Sequence, residues 1–260
     1  MPVSDAPSRG DTDDAGCEDA LPVNELFYSL QGEGRLAGVP SVFVRTSGCN
    51  LRCWFCDSYH TSWEPTHDWL ELESVLAEVD AHSVDHVVVT GGEPLLHDGV
   101  VELLEELSAR EYHVTVETNG TIYREAPIDL VSISPKLSSS TPTPDRRPAD
   151  APDDGTWADR HERDRIDHET LARLVDAYEF QLKFVVTDED DAGEVRELVE
   201  TIREMASVPV RDDDVLLMPE GATRGRLAET RSRVAEFAME YGFRYTPRLH
   251  VDLWNDAPET

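Results

Sequence analysis

Short apolar runs alternate with longer amphipathic stretches along most of this chain. Six runs rich in β-branched residues read as strands: VFVR at 42–45, HVVVT at 86–90, HVTVE at 113–117, LVSIS at 130–134, QLKFVV at 181–186 and VLLM at 215–218. Residues 68–81, 98–110, 168–180, 188–206 and 224–241 repeat apolar positions at three- and four-residue spacing, which predicts helices; Asp68 and Asp98 stand where the first two would be capped. Strands that alternate with helices pair as parallel βαβ units. Six of them predict an α/β fold, a partial β/α barrel with flanking helices, with ligands at the carboxyl ends of the strands.

Two stretches lack any period. Residues 1–20, rich in Asp, Gly, Ser and Ala, read as a disordered acidic leader, with order beginning near Val23 and a single domain over 21–260. Residues 137–166, rich in Pro, Ser, Asp and Arg, read as an acidic surface loop that alters surface properties rather than chemistry. No apolar run approaches the ~20 residues of a membrane span. The start of the chain lacks the basic and apolar parts of a secretory signal, so a cytoplasmic protein without a membrane partner is expected.

Charge narrows the classes further. Asp and Glu number 54 against 23 Lys and Arg, for a net charge of −31, a field that repels phosphate backbones and argues against a nucleic-acid partner. Of those basic residues 21 are arginine; the two lysines are Lys136 and Lys183. Such an acidic, lysine-poor surface suits a cytoplasm full of salt, where screening weakens like-charge repulsion. A halophilic source is predicted.

Three of the four cysteines fall in CNLRCWFCD at 49–57, directly after the first predicted strand; Cys17, in the leader, reads as incidental. Thiolates at the C-x3-C-x2-C spacing of Cys49, Cys53 and Cys56 can hold three irons of a four-iron four-sulfur cubane and leave the fourth iron open. The same three cysteines with His60 would also satisfy a structural zinc, which makes a non-catalytic zinc-binding module the alternative from a different class. Other strand ends carry chemistry too. In TGGEP, Thr90 to Pro94, paired glycines permit close backbone approach to a ligand and Glu93 can meet an ammonium. Asn119-Gly120 is a turn or a ligand contact, Lys136 follows the fourth strand, and Lys183 either meets a ligand or pairs with a core carboxylate. In LQGEG at 30–34, Gln31 and Glu33 offer amide and carboxylate edges to a flat, nitrogen-rich heterocycle. Arg45 carries a guanidinium fork suited to a carboxylate.

The cysteine spacing, the aromatic Phe55 before Cys56 and the GGEP segment together resemble the radical S-adenosylmethionine (SAM) superfamily. FYSLQGEG at 27–34, VFVRTSGCN at 42–50 and the CDS of 56–58 are similar to one of its families, the 7-carboxy-7-deazaguanine synthases, and the likeness runs in order from about residue 24 to 260. That resemblance implies a lyase that converts 6-carboxy-5,6,7,8-tetrahydropterin into 7-carboxy-7-deazaguanine with loss of ammonia, using a 4Fe-4S cluster, SAM and Mg2+. It also implies a homodimer and an electron donor such as flavodoxin or ferredoxin. In a halophilic archaeon the product would serve tRNA deazaguanosine modification. By position, Leu30, Gln31, Gly32, Arg45 and Thr90 would contact the pterin, together with Glu33 from the reading above and His250 in RYTPRLHVDLW. Phe55, Asp57, Gly92, Ser134, Pro135 and Lys136 would contact SAM, with Glu93 at its amino group, and Ser58 would bind magnesium. A glycyl-radical activase shares the cysteine loop but should lack LQGEG.

Overall fold

The protein is described here by a computed structural model covering residues 20–148, 151, 156–255 and 257. Residues 1–19 of the leader, Cys17 included, lie outside the described residues; Ala20 already opens a strand. In chain order the elements are β1 (Ala20–Leu30), β2 (Pro40–Thr46), α1 (Tyr59–Ser62), β3 (Asp68–Glu71), α2 (Leu72–Asp80), β4 (His86–Gly91), α3 (Gly99–Ala109), β5 (His113–Thr118) and β6 (Leu130–Ile133). There follow α4 (Trp157–Asp164), α5 (His168–Ala177), β7 (Phe180–Val186), α6 (Glu189–Met205), β8 (Val215–Pro219), α7 (Arg224–Tyr241), β9 (Arg244–Tyr245) and α8 (Leu249–Trp254).

One sheet of the described residues takes the order β3-β1-β2-β4-β5-β6-β7-β8-β9. From β2 to β9 every pair is parallel, while β1 runs antiparallel to both β2 and β3. The six predicted strands are β2 and β4 to β8, and the sheet stays open, as a partial barrel requires. Sequence reading missed three strands. Residues 20–30 mix polar and apolar positions because β1 is paired on both sides yet only half covered, and β9 is two residues long. The helix predicted over 68–81 begins only at Leu72: Asp68–Glu71 pairs with Ala20–Val23, so Asp68 is a strand residue and caps nothing.

Alternation along the parallel strands sorts structure from function. Val42 and Val44, Val87 and Val89, Val114 and Val116, Val131 and Ile133, Leu182 and Phe184, and Val215 and Leu217 are buried in two apolar clusters against α2, α3 and α5 to α7. The intervening positions face the concave side and are mostly polar: Arg45, Thr90, Glu117, Ser132 and Lys183. At the amino-terminal end of that side, His86 plugs the sheet. Its Nδ1 lies 2.6 Å from Ser41 Oγ and its Nε2 lies 2.8 Å from Thr115 Oγ1.

Burial, reinforced by the His113 charge, lowers His86 to about pH 4 from the ordinary value of 6.5. The unfolded chain therefore binds the extra proton first as pH falls. The stabilisation is complete above about pH 6.5 and disappears as pH approaches 4, a total of roughly 3 kcal/mol. Urea unfolding at pH 7 and pH 4 should show the pH sensitivity of a His86→Gln variant reduced by that amount; an unchanged pH slope would mean the ring is already solvated.

Candidate active site

A cavity of about 340 Å3 opens on the concave side. Of the residues singled out by sequence, Leu30, Gln31, Gly32, Glu33, Arg45, Cys49, Cys53, Phe55, Cys56, Asp57, Ser58, Thr90, Gly92, Ser134, Lys136, Lys183 and His250 all line it. They come from six stretches of the chain, and the sheet gathers them because most follow or end a strand while Lys183 points from the middle of β7.

The cysteine loop leaves β2 and is fixed on several sides. Trp63 Nε1 donates to the Cys53 carbonyl at 2.9 Å, Ser62 Oγ to Cys56 Sγ at 3.2 Å and the Leu51 amide to Cys49 Sγ at 3.4 Å. Asn50 bridges from the loop to the end of β5: it donates to Thr121 Oγ1 at 2.8 Å and accepts from Asn119 Nδ2 at 2.9 Å. Burial pushes the Cys49 thiol up to about 12 and raises Cys53 and Cys56 as well. Loading metal must therefore displace protons.

The donor set fits a cluster better than a single ion. A zinc ion needs its sulfurs within about 2.3 Å of one centre, and among the described residues no three of His, Cys, Asp and Glu converge in that way. His60 in particular is exposed and stacks edge-on against Tyr59. Three thiols that share a cavity wall without converging suit the separate corners of a cubane. His60, the fourth ligand of the zinc alternative, does not line the cavity that holds the three thiols.

Deeper in the cavity lies a chain of charges. Lys183, 4% exposed, pairs through Nζ with Glu33 at 2.6 Å and with Glu117 at 3.6 Å. Arg248 pairs with Glu33 at 3.0 Å, donates to Asp57 and reaches the Gly221 carbonyl at 2.8 Å. Burial opposes the charge on Glu33, yet Lys183 and Arg248 hold its carboxyl well below the usual range. Burial likewise opposes Lys183, whose pKa Glu117 and then Glu33 keep above the ordinary lysine value. Lys183 thus pairs with carboxylates, one of the two roles its position allowed. Gln31 Nε2 and Thr90 Oγ1 both donate to Glu117, at 3.2 and 3.0 Å. Gly32 lies so close under His250 that a Cβ there would overlap the imidazole Nδ1. Burial lowers the pKa of His250.

At the rim, Arg45 Nη1 donates to Ser58 Oγ at 2.7 Å while its Nε pairs with Glu25 at 2.9 Å. Lys136 Nζ donates to Ser134 Oγ at 2.7 Å. Two expected site residues stand off the cavity wall. Glu93 is fully buried and does not line the cavity: its carboxylate accepts from the Leu95 amide, Thr118 Oγ1 and the Asn119 amide, at 2.7 to 3.1 Å. Burial, opposed by those bonds, raises it to about 7. Those bonds tie its carboxylate to the turn after β4 and to the end of β5. Pro135 sits between two lining residues without lining the cavity itself.

Sequence reading missed Glu117 and Arg248. Strand alternation could have found Glu117, since Thr115 and Glu117 share the polar face of HVTVE. Arg248 had no such signal, because its partners lie 191 and 215 residues away.

Comparisons with known proteins agree with this arrangement. The family model described as the radical SAM superfamily matches residues 43–147, from β2 past the cysteine loop to beyond Lys136. The chain is 61% identical over 261 residues, the whole of both chains, to 7-carboxy-7-deazaguanine synthase of Halobacterium salinarum. It belongs to the 7-carboxy-7-deazaguanine synthase family. The synthase of Rhodopirellula baltica is 41% identical over 235 residues, covering 90% of this chain and 86% of its own. The crystal structure of QueE from Escherichia coli superposes with a TM-score of 0.64 at 24% identity, over 89% of this chain and 95% of that one, and shares the fold. As a radical SAM enzyme of this family the chain is neither a zinc module nor a glycyl-radical activase. The family implies a 4Fe-4S cluster and SAM, which Cys49, Cys53 and Cys56 with the cavity beside them would hold. Its acidic, lysine-poor composition fits its likeness to a Halobacterium enzyme. No described helix is long and apolar enough to cross a membrane.

Proposed function

We propose that the chain converts 6-carboxy-5,6,7,8-tetrahydropterin into 7-carboxy-7-deazaguanine with release of ammonia, a step in deazapurine biosynthesis. The observation that carries this reading is one cavity holding both the three thiols and the LQG segment, in a chain related over its full length to a synthase of that name. When bound, the cluster and SAM supply a one-electron route to hydrogen abstraction from carbon. The remaining work belongs to the protein. Glu117, aligned by Gln31, Thr90 and Lys183, presents a carboxylate to the donor-rich edge of the pterin. Arg45 reaches the rim with a guanidinium able to take the substrate carboxylate.

Ser58 and the adjacent Asp57, whose oxygens lie 3.3 Å apart, offer hard oxygen donors for Mg2+. Two protein oxygens leave most of an octahedral shell to the substrate carboxylate and water. The enzyme works in the cytoplasm as a homodimer, with a flavodoxin or ferredoxin as electron donor.

An anaerobic assay with reconstituted protein, SAM, reductant and the carboxytetrahydropterin tests the reading. Deazaguanine product, with SAM spared, is the expected result, and Cys56→Ala should give none. Cleavage of SAM without product would keep the superfamily and reject the substrate.

A further inference from the structure

The segment between Lys136 and Asp167, expected to be surface decoration, instead has described residues packed against the cysteine loop. It contains a short turn of 3-10 helix at Ser138–Ser140 and α4, and both Ser140 and His161 are fully buried. The Arg52 amide, one residue before Cys53, donates to His161 Nδ1 at 3.0 Å. An N–H donor at Nδ1 requires that nitrogen to be bare, so Nε2 carries the hydrogen and donates to Ser140 Oγ at 2.8 Å. Ser140 Oγ in turn donates to the Leu137 carbonyl at 2.6 Å, which closes the chain of bonds inside the segment. Trp54 is held as well: its amide donates to the Ser140 carbonyl at 3.1 Å and its Nε1 to the Ser139 carbonyl at 2.7 Å. Above them the Arg52 guanidinium lies over the Trp157 ring, 4.1 Å from its centre, and donates to the Cys49 and Leu51 carbonyls at 2.7 and 2.8 Å.

We propose that this segment is a positioning element for the cysteine loop, and that His161 is its pivot, a neutral acceptor that fixes the backbone between Cys49 and Cys53. Burial, aided by Arg165, lowers His161 to about 4, which keeps the acceptor lone pair available at neutral pH. Preorganised thiols hold iron better than thiols that must first be ordered, because outer residues that orient ligands also set their affinity. The proposal rests on the cluster reading above for its consequence in the loaded enzyme, but the hydrogen bond itself can be tested in metal-free protein.

The test compares His161→Asn with His161→Gln. The asparagine oxygen falls near the place of Nδ1 and keeps an acceptor for Arg52; the glutamine amide falls near Nε2 and does not. Amide hydrogen exchange in the apoprotein should leave Arg52 protected in the asparagine variant and make it exchange at least about tenfold faster in the glutamine variant, with strand amides of β4 to β7 unchanged. In reconstituted protein the glutamine variant should surrender iron to a chelator several-fold faster and give a broadened spectrum of the reduced cluster, whereas the asparagine variant should match the parent. Equal Arg52 exchange and equal iron release in both variants would overturn the proposal. If strand exchange shows that neither variant folds, Ser140→Ala decides: faster Arg52 exchange supports the pivot, and unchanged exchange rejects it. Failure of the parent protein itself to take up iron and sulfide would count against the cluster reading and leave the apoprotein result standing.

Discussion

Replacing Gly92 with alanine is expected to lower stability by about 2–3 kcal/mol and to remove most of the bound iron. A Cβ at this position would overlap the Gly48 carbonyl oxygen and lie 2.7 Å from Cys49 Cβ. Neither neighbour is a flexible side-chain tip that can swing away. The Gly92 amide donates to the Thr46 carbonyl at 3.2 Å and the Glu93 amide to the Gly48 carbonyl at 2.9 Å, so the ends of β2 and β4 are stitched together at the very start of the cysteine loop. Relief can come only by moving Gly48 and Cys49 outward, which breaks those bonds and shifts the first thiol. Overpacking of this kind costs about 1–3 kcal/mol. Gly193→Ala is the matched control: its Cβ would meet nothing within 4 Å on the exposed face of α6, and a helix interior prefers alanine by about 0.5–1 kcal/mol. Urea unfolding together with iron and sulfide analysis after anaerobic reconstitution separates the two. Full iron content in the Gly92 variant would mean that the loop tolerates the displacement.

The parallel part of this fold was readable because its strands are covered by helices on one side. Val, Ile, Leu and Phe at every second residue are what such burial demands, and they fall on the outer face of β2 and β4 to β8. Strand β3 is the edge of the sheet and β1 beside it is only half covered, so neither shows that regular face, and Trp69 stands 55% exposed in a stretch whose periodicity suggested a helix. The cysteines and LQGEG were legible because their chemistry is packed into a few consecutive residues. Arg248 was not, since its partners Glu33 and Asp57 sit on loops 215 and 191 residues away, and Glu117 showed only as a polar position on an alternating strand. Composition misled for 137–166: polar and Pro-rich sequence looked like solvated loop, yet Ser140 and His161 form a closed polar network that satisfies itself inside the protein. Glu93 lies off the cavity for a local reason, since the Leu95 and Asn119 amides next to the turn hold its carboxylate.

Lys183→Met should produce the second large effect, a loss of about 3 kcal/mol or more in stability together with loss of turnover. Removing one member of a buried ion pair leaves its partners charged and dry, at a typical cost of about 3–5 kcal/mol. Glu33 keeps Arg248 as a cation at 3.0 Å, which places this case at the lower end of the range, but Glu117 has no ion pair besides Lys183 among the described residues. A chain with 21 arginines keeps a lysine here for a geometric reason. The compact ammonium fits a site 4% exposed and meets two carboxylates at 2.6 and 3.6 Å, whereas a guanidinium fork is larger and planar. Lys183→Arg should therefore restore the charge without restoring full stability. Salt provides the discriminating condition. Exposed pairs such as Arg163 with Asp164 weaken as ions screen them, but the Lys183–Glu33 pair, with side chains 5 and 12% exposed, is screened much less. Unfolding measured in dilute buffer and in molar KCl should give the same deficit for Lys183→Met. A deficit that vanishes in high salt, or one below about 1 kcal/mol, would show that water already reaches these carboxylates.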